Sequence, residues 1–88
     1  MIQKELTINN KHGLHARPAA QFVKMSSSFS SEIWVEKDDE RINGKSIMGL
    51  MMLAAGQGSR IIIMADGEDE NEAITALETL VNGGFDED

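Results

Sequence analysis

The sequence predicts an α+β fold, a single four-stranded sheet carrying three helices on one face, in the order β-α-β-β-α-β-α. Three observations lead there. Apolar residues alternate with polar ones at the N-terminus, the period of a half-buried strand. Two later segments repeat their apolar residues at helical spacing between recognisable stop and start signals. The chain has only 88 residues, so one core must serve every element, and residues 1–88 read as one domain.

Ile2, Lys4, Leu6 and Ile8 alternate with Gln3, Glu5, Thr7 and Asn9, which gives the first strand, with the Lys4 stem crossing the sheet edge. Asn9 to Gly13 is a loop. Ala16, Ala19, Ala20, Phe22, Val23 and Met25 suit an amphipathic helix from Ala16 to about Ser27. Glu32 to Lys37 and Glu40 to Asn43 read as a hairpin turning at Asp38-Asp39. Ser46 is a good N-cap for a short apolar helix from Ile47 to Leu53, ended by Gly56-Gln57-Gly58. On so short a helix not every apolar residue can face inward, which directs Met52, or Leu50 and Leu53, to the core and Met48 to solvent. Arg60 to Ala65 is the strongest strand. Asp69 and Glu72 form a capping box ahead of Ala73, Ile74, Leu77, Leu80 and Val81; Gly83-Gly84 stops that helix, and Phe85 to Asp88 is expected to be a loose acidic tail.

Composition removes several functional classes. The chain has no cysteine, so disulfides, thiolate metal sites and cysteine nucleophiles are excluded. A net charge of −7 argues against a nucleic-acid binder, which needs a basic face. The charge is uneven: residues 1–31 set Lys4, Lys11, Arg17 and Lys24 against Glu5 alone, a net +3, whereas residues 32–88 carry a net −10. A small protein with one basic end tends to present that end to acidic partners. The N-terminus lacks a secretory pattern and the longest apolar stretch, Ile47 to Gly56, is too short to span a bilayer, so a cytoplasmic protein without membrane insertion is expected.

The chemistry concentrates in Gly13-Leu14-His15-Ala16-Arg17-Pro18-Ala19-Ala20. A histidine stands at a helix start, with an arginine two residues on and a proline in the first turn. A helix N-terminus presents unpaired N–H groups and partial positive charge, ready for an anion. Imidazole is a nucleophile near neutral pH. Pro18 gives up an N–H that would be unpaired anyway, and Arg17 can aim a planar fork of donors at phosphate oxygens. These residues suit a phosphoryl group held on an imidazole nitrogen. Proline prefers the first helical position, which would push His15 outside the helix; we place His15 at the cap, in part from the family resemblance described next.

This stretch resembles the active-site signature of the histidine-containing phosphocarrier (HPr) family of the bacterial phosphoenolpyruvate-dependent sugar phosphotransferase system. A second stretch, Asn43-Gly44-Lys45-Ser46-Ile47-Met48-Gly49-Leu50, is similar to that family's regulatory-serine segment. The resemblance spans the chain and implies an open-faced β-sandwich, a four-stranded antiparallel sheet covered on one face by three helices. It also implies that His15 takes phosphate from phospho-enzyme I through Nδ1 and passes it to IIA domains of sugar permeases. Arg17 would neutralise the phosphoryl oxygens, and the Ala16 and Arg17 backbone N–H groups would complete the cradle. Ser46 matches the serine modified by an HPr kinase/phosphorylase, Ile47, Met48 and Met51 fall where the family has an apolar docking patch, and Lys24 where it has a basic contact. His12, Ser27 and Gly49 depart from the family pattern.

A magnitude constrains such a site. A helix dipole contributes about 2 kcal/mol at best and a charge-assisted hydrogen bond about 1.5–3 kcal/mol. Since about 1.4 kcal/mol is tenfold in an equilibrium, a deep cage of donors would trap the phosphorylated form. An exposed histidine with one arginine suits a carrier, which must release what it accepts. The expected protein is therefore a monomeric stoichiometric phosphoryl carrier with a phosphohistidine intermediate, not an enzyme, without cofactor or metal. The plainer readings weigh less: a lone histidine most often merely caps a helix, but the Arg-Pro context favours function, and His12 with His15 lacks a third metal ligand nearby in sequence. A different class is also open. The chain could be a regulatory binding module, in catabolite or nitrogen-branch control, docking on a transcription regulator through Ser46 and the Ile47–Met51 patch.

Overall fold

The computed structural model describes residues 1–87; Asp88, the end of the expected tail, lies outside the described residues. Strand β1 (Ile2–Thr7) is followed by α1 (Ala16–Ser27), β2 (Glu32–Lys37), β3 (Glu40–Asn43), α2 (Ile47–Met52), β4 (Arg60–Asp66) and α3 (Glu70–Asn82), so the expected order holds throughout. The hairpin turns on Asp38 and Asp39, both left-handed at φ 51° and 68°, the turn geometry that matches strand twist. Helix α2 stops one residue early at Met52, and Ala54 then takes a left-handed conformation at φ 51° that no helix continues.

The strands lie in the order β1-β4-β2-β3, and every neighbouring pair is antiparallel. The central position of β4 explains its unbroken apolar run: Ile61, Ile63 and Ala65 face the helices, while Met64, beside Gln3 and Trp34 in the register, is buried on the other face. The helical face packs against Ala19 and Phe22 of α1, Leu50 of α2, and Ala73, Ile74, Leu77 and Val81 of α3. Burying each of the larger of these side chains, Phe22, Leu50, Ile74, Leu77 and Val81, contributes about 1.5–3 kcal/mol. Lys4 shares this face on the edge strand, opposite Ile63, and its ammonium runs out to Glu78 of α3 at 3.2 Å, as the expected edge crossing requires. Met48 is exposed as expected, and of the two inward choices the core takes Leu50 and Leu53, while Met52 joins Met48 at the surface.

Two expectations are corrected. Asp69 does occupy the N-cap of α3, but its side chain makes no cap hydrogen bond. Its carboxylate instead accepts the Ser30 and Ser31 N–H groups, each at 2.9 Å, and the Ser31 hydroxyl, tying α3 to the loop before β2. No described hydrogen bond returns from Glu72 to the cap; Glu70 instead accepts the Gly67 N–H through Oε1 at 3.1 Å, just ahead of the helix. A carboxylate meeting three donors on a neighbouring segment gains more than from one helical N–H, so tertiary contact displaces the local box. The tail is also not loose over its described length: Gly84–Asp86 forms a 3₁₀ turn, and Phe85 is buried in the core.

The Ser31 hydroxyl first, then the Ser30 N–H, hold the Asp69 carboxyl at about 2, below its ordinary 3.8, against an opposing desolvation. A lowered native pKa adds stability that is complete above the unfolded value and disappears as pH falls through the native one. The urea midpoint of the protein is expected to drop as pH falls from 3.8 to about 2. Asp69→Asn should start lower at neutral pH and show a shallower fall across that interval.

Candidate functional site

The loop between β1 and α1 is held from two sides. On one, the Leu14 N–H donates to the Ala55 carbonyl at 2.9 Å, just beyond α2. Gly13, left-handed at φ 66°, makes that approach possible, because a Cβ there would collide with the same carbonyl oxygen. On the other, the buried Asn10 donates through Nδ2 to the Gly13 carbonyl at 2.8 Å and to Glu87 Oε1 at 2.9 Å.

This loop delivers His15 to the N-cap of α1 in extended conformation, with 41% of its side chain exposed. The conflict with Pro18 resolves by counting. Helix α1 begins at Ala16, so Pro18 is its third residue, still among the positions whose N–H has no helical partner. The Ala19 N–H is the first with one, donating to the His15 carbonyl at 3.0 Å. That leaves the Ala16 and Arg17 N–H groups, which have no partner among the described residues, at the positive end of the helix. The Arg17 side chain is exposed and makes no described hydrogen bond or ion pair, so its donors remain available. Together these groups can receive a tetrahedral anion beside the imidazole.

Sequence reasoning missed two residues. Glu87 Oε2 stands 3.0 Å from His15 Nε2, and Asn10 fixes the other oxygen of the same carboxylate. The Asn10 hydrogen bond chiefly, and the contact and charge of His15 with the charge of Arg17, lower the Glu87 carboxyl below its ordinary 4.5 against desolvation. The 72 residues separating Glu87 from His15 gave no local pattern to detect. His12 is exposed and stands edge-on to His15, ring centroids 5.7 Å apart. The two line a shallow cavity of about 260 Å³ with Leu14, Ala54, Ala55 and Gly56. Although the fold adds Glu87 to this neighbourhood, no three potential ligands assemble into a metal site among the described residues.

The remaining sequence candidates sit elsewhere. Lys24 is exposed in the last turn of α1. Ser46 caps α2, its Oγ accepting the Gly49 N–H at 3.0 Å. Ile47, Met48 and Met51 are exposed as a patch, which Met52 extends. The loop that follows α2 reaches the His15 loop through the Leu14–Ala55 bond, so the patch and the histidine belong to one continuous assembly.

Comparison with known proteins agrees with this geometry. A family model described as the PTS HPr component phosphorylation site matches residues 2–83. Phosphocarrier protein HPr of Neisseria meningitidis serogroup B is 54% identical over 87 residues, 99% of this chain and 98% of that protein. A crystal structure of HPr-C-His from Thermoanaerobacter tengcongensis superposes with a TM-score of 0.97 at 52% identity, covering 100% of this chain and 99% of that one. A crystal structure described as an HPr dimer from the same organism gives 0.79 at 55% identity, covering 96% and 99%. Fold and site thus define a phosphoryl carrier of the phosphotransferase system. The chain belongs to the HPr family. No helix among the described residues is long and apolar enough to cross a membrane.

Replacing a capping serine by alanine costs about 1 kcal/mol. Ser46→Ala should lower stability by that order in urea unfolding at neutral pH, through the lost Gly49 bond, with the denaturant slope unchanged.

Proposed function

We propose that His15 is the phosphoryl acceptor, taking the group on Nδ1 from phospho-enzyme I and passing it to IIA domains of sugar permeases. The observation that supports this most is the half-exposed imidazole at the cap of α1, beside two N–H groups without a partner among the described residues and the exposed Arg17 guanidinium. In the transfer the Nδ1 lone pair forms a bond to phosphorus while the donor's N–P bond breaks, its electron pair returning to the donor nitrogen. The Ala16 and Arg17 N–H groups and the Arg17 side chain meet the oxygens as charge shifts from donor to acceptor. Because these few contacts are partly open to water, they hold the phosphoryl group only moderately, and the reverse step stays accessible. The protein acts stoichiometrically, as a cytoplasmic monomer of one domain and without a cofactor, in contrast to the Thermoanaerobacter relative described as a dimer.

Docking is assigned to Lys24 and the exposed Ile47, Met48 and Met51, methionine being adaptable enough for more than one partner. Ser46 is the proposed target of an HPr kinase/phosphorylase, through which a transcription regulator would be engaged. A phosphate there brings about −1.5 to −2 charges next to the apolar patch.

Incubation with phosphoenolpyruvate and enzyme I should place one acid-labile phosphate on the protein and none on His15→Ala. Arg17→Ala should retain the label but acquire it at least about tenfold more slowly, from loss of a charged donor. A label that survives His15→Ala contradicts the assignment. Ser46→Asp is expected to raise the half-saturating concentration for enzyme I; equal values for variant and parent count against regulation through this serine.

A further inference from the structure

We propose that Glu87 is a positioning residue for phosphoryl transfer: it holds the His15 ring in the tautomer with hydrogen on Nε2, leaving the lone pair on Nδ1. The inference rests on His15 being the acceptor, and it starts from the 3.0 Å contact between Nε2 and Glu87 Oε2. An ionised carboxylate can only accept hydrogen bonds, so a bonded Nε2 must carry the proton. A neutral imidazole has a single N–H, and Nδ1 is then the nucleophile. The same division of labour orients the histidine of a Ser-His-Asp triad, with the nitrogens exchanged.

The contact belongs to a built arrangement. Asn10, buried at 4% exposure, spends its amide donors on the Gly13 carbonyl and on Glu87 Oε1. The carboxylate is thus gripped by both oxygens, and the loop that carries His15 is gripped by the same amide. Phe85 anchors the tail in the core, and Asn9 Nδ2 donates to the Asn82 carbonyl at 3.0 Å where α3 ends. Gly84, Phe85 and Asp86 are all left-handed, at φ 65°, 56° and 59°. Two non-glycine residues adopt that conformation only where surrounding contacts over-determine it. Among those contacts are the burial of Phe85 and the capture of Glu87.

The lowered Glu87 carboxyl supports its ionised state at neutral pH. Among the described residues, the other charged and titratable groups seen to act on the pair are Arg17, whose charge also favours the carboxylate, and His12, edge-on to the ring. When Nδ1 bonds to phosphorus the Nε2 proton stays in place and the ring becomes cationic. Glu87 then faces a positive charge, so it orients the acceptor beforehand and opposes the charge that develops on it.

The test uses the full chain with ¹⁵N-labelled histidine, at a pH where the ring is neutral, comparing the parent with Glu87→Ala and Glu87→Gln. The parent should show His15 almost wholly with hydrogen on Nε2. Both variants should move towards the mixed tautomers of a free imidazole, because alanine removes the acceptor and glutamine can either accept or donate. Phosphoryl uptake from enzyme I should slow about tenfold in both, with thermal midpoints near the parent's, since charge-assisted hydrogen bonds carry energies of that order. A parent protonated on Nδ1, a tautomer ratio unmoved by either variant, or a moved ratio with unchanged uptake overturns the proposal. Failure of the parent to accept phosphate would instead overturn the assignment of His15, while the tautomer measurement still reports on Glu87.

Discussion

Everything at the site depends on how the eight-residue stretch between β1 and the first turn of α1, residues 8–15, is clamped. It has no regular structure, yet its backbone meets the Ala55 carbonyl on one side and the Asn10 amide on the other. Without those bonds a loop beginning Asn-Asn and containing Gly13 would sample many conformations, and His15 with it. With them, the imidazole leaves a fixed point at the mouth of a helix whose first donors have no partner among the described residues. The rigidity comes from bonds to buried or backbone partners, and the His15 ring itself stays partly exposed.

That combination suits a carrier. Deep enclosure would strengthen every contact to a phosphoryl group and make it difficult to release. In the proposed transfer, binding power is spread over a helix end, one exposed arginine and water, and orientation comes from Glu87 behind the ring. The residues proposed for partner docking are distinct from those that surround the imidazole. Lys24 and the methionines of α2 lie at the surface, while the core beneath them is closed by Leu50, Leu53 and Phe22. A docking face of adaptable side chains on a tightly packed support can meet different proteins without disturbing the histidine.

Most of the secondary structure was legible because the relevant signals are local. Period two at Ile2–Ile8, period 3.6 at Ala73–Val81, the Asp-Asp turn and the serine cap each involve neighbours a few residues apart. His15 and Arg17, the proposed acceptor and its arginine, could be singled out for the same reason, since both lie within a single helical turn. Local reading failed where one side chain had a choice of partner. Asp69 has the sequence context of a capping box, but three donors from the loop before β2 outcompete the helix's own N–H. Phe85, followed by three acidic residues, reads as tail, although the core has a place for its ring.

The sequence by itself determined the class of fold, the position of each element and the chemical character of the helix start, because propensity, periodicity and capping act over one or two turns of chain. Only the tertiary structure decided which partners the polar groups take, and above all that a glutamate 72 residues away completes the environment of the histidine. The physical reason is that a hydrogen bond depends on distance in space and not on separation along the chain. The sheet order, the docking of α3 and the burial of Phe85 must all be in place before Glu87 and His15 can meet.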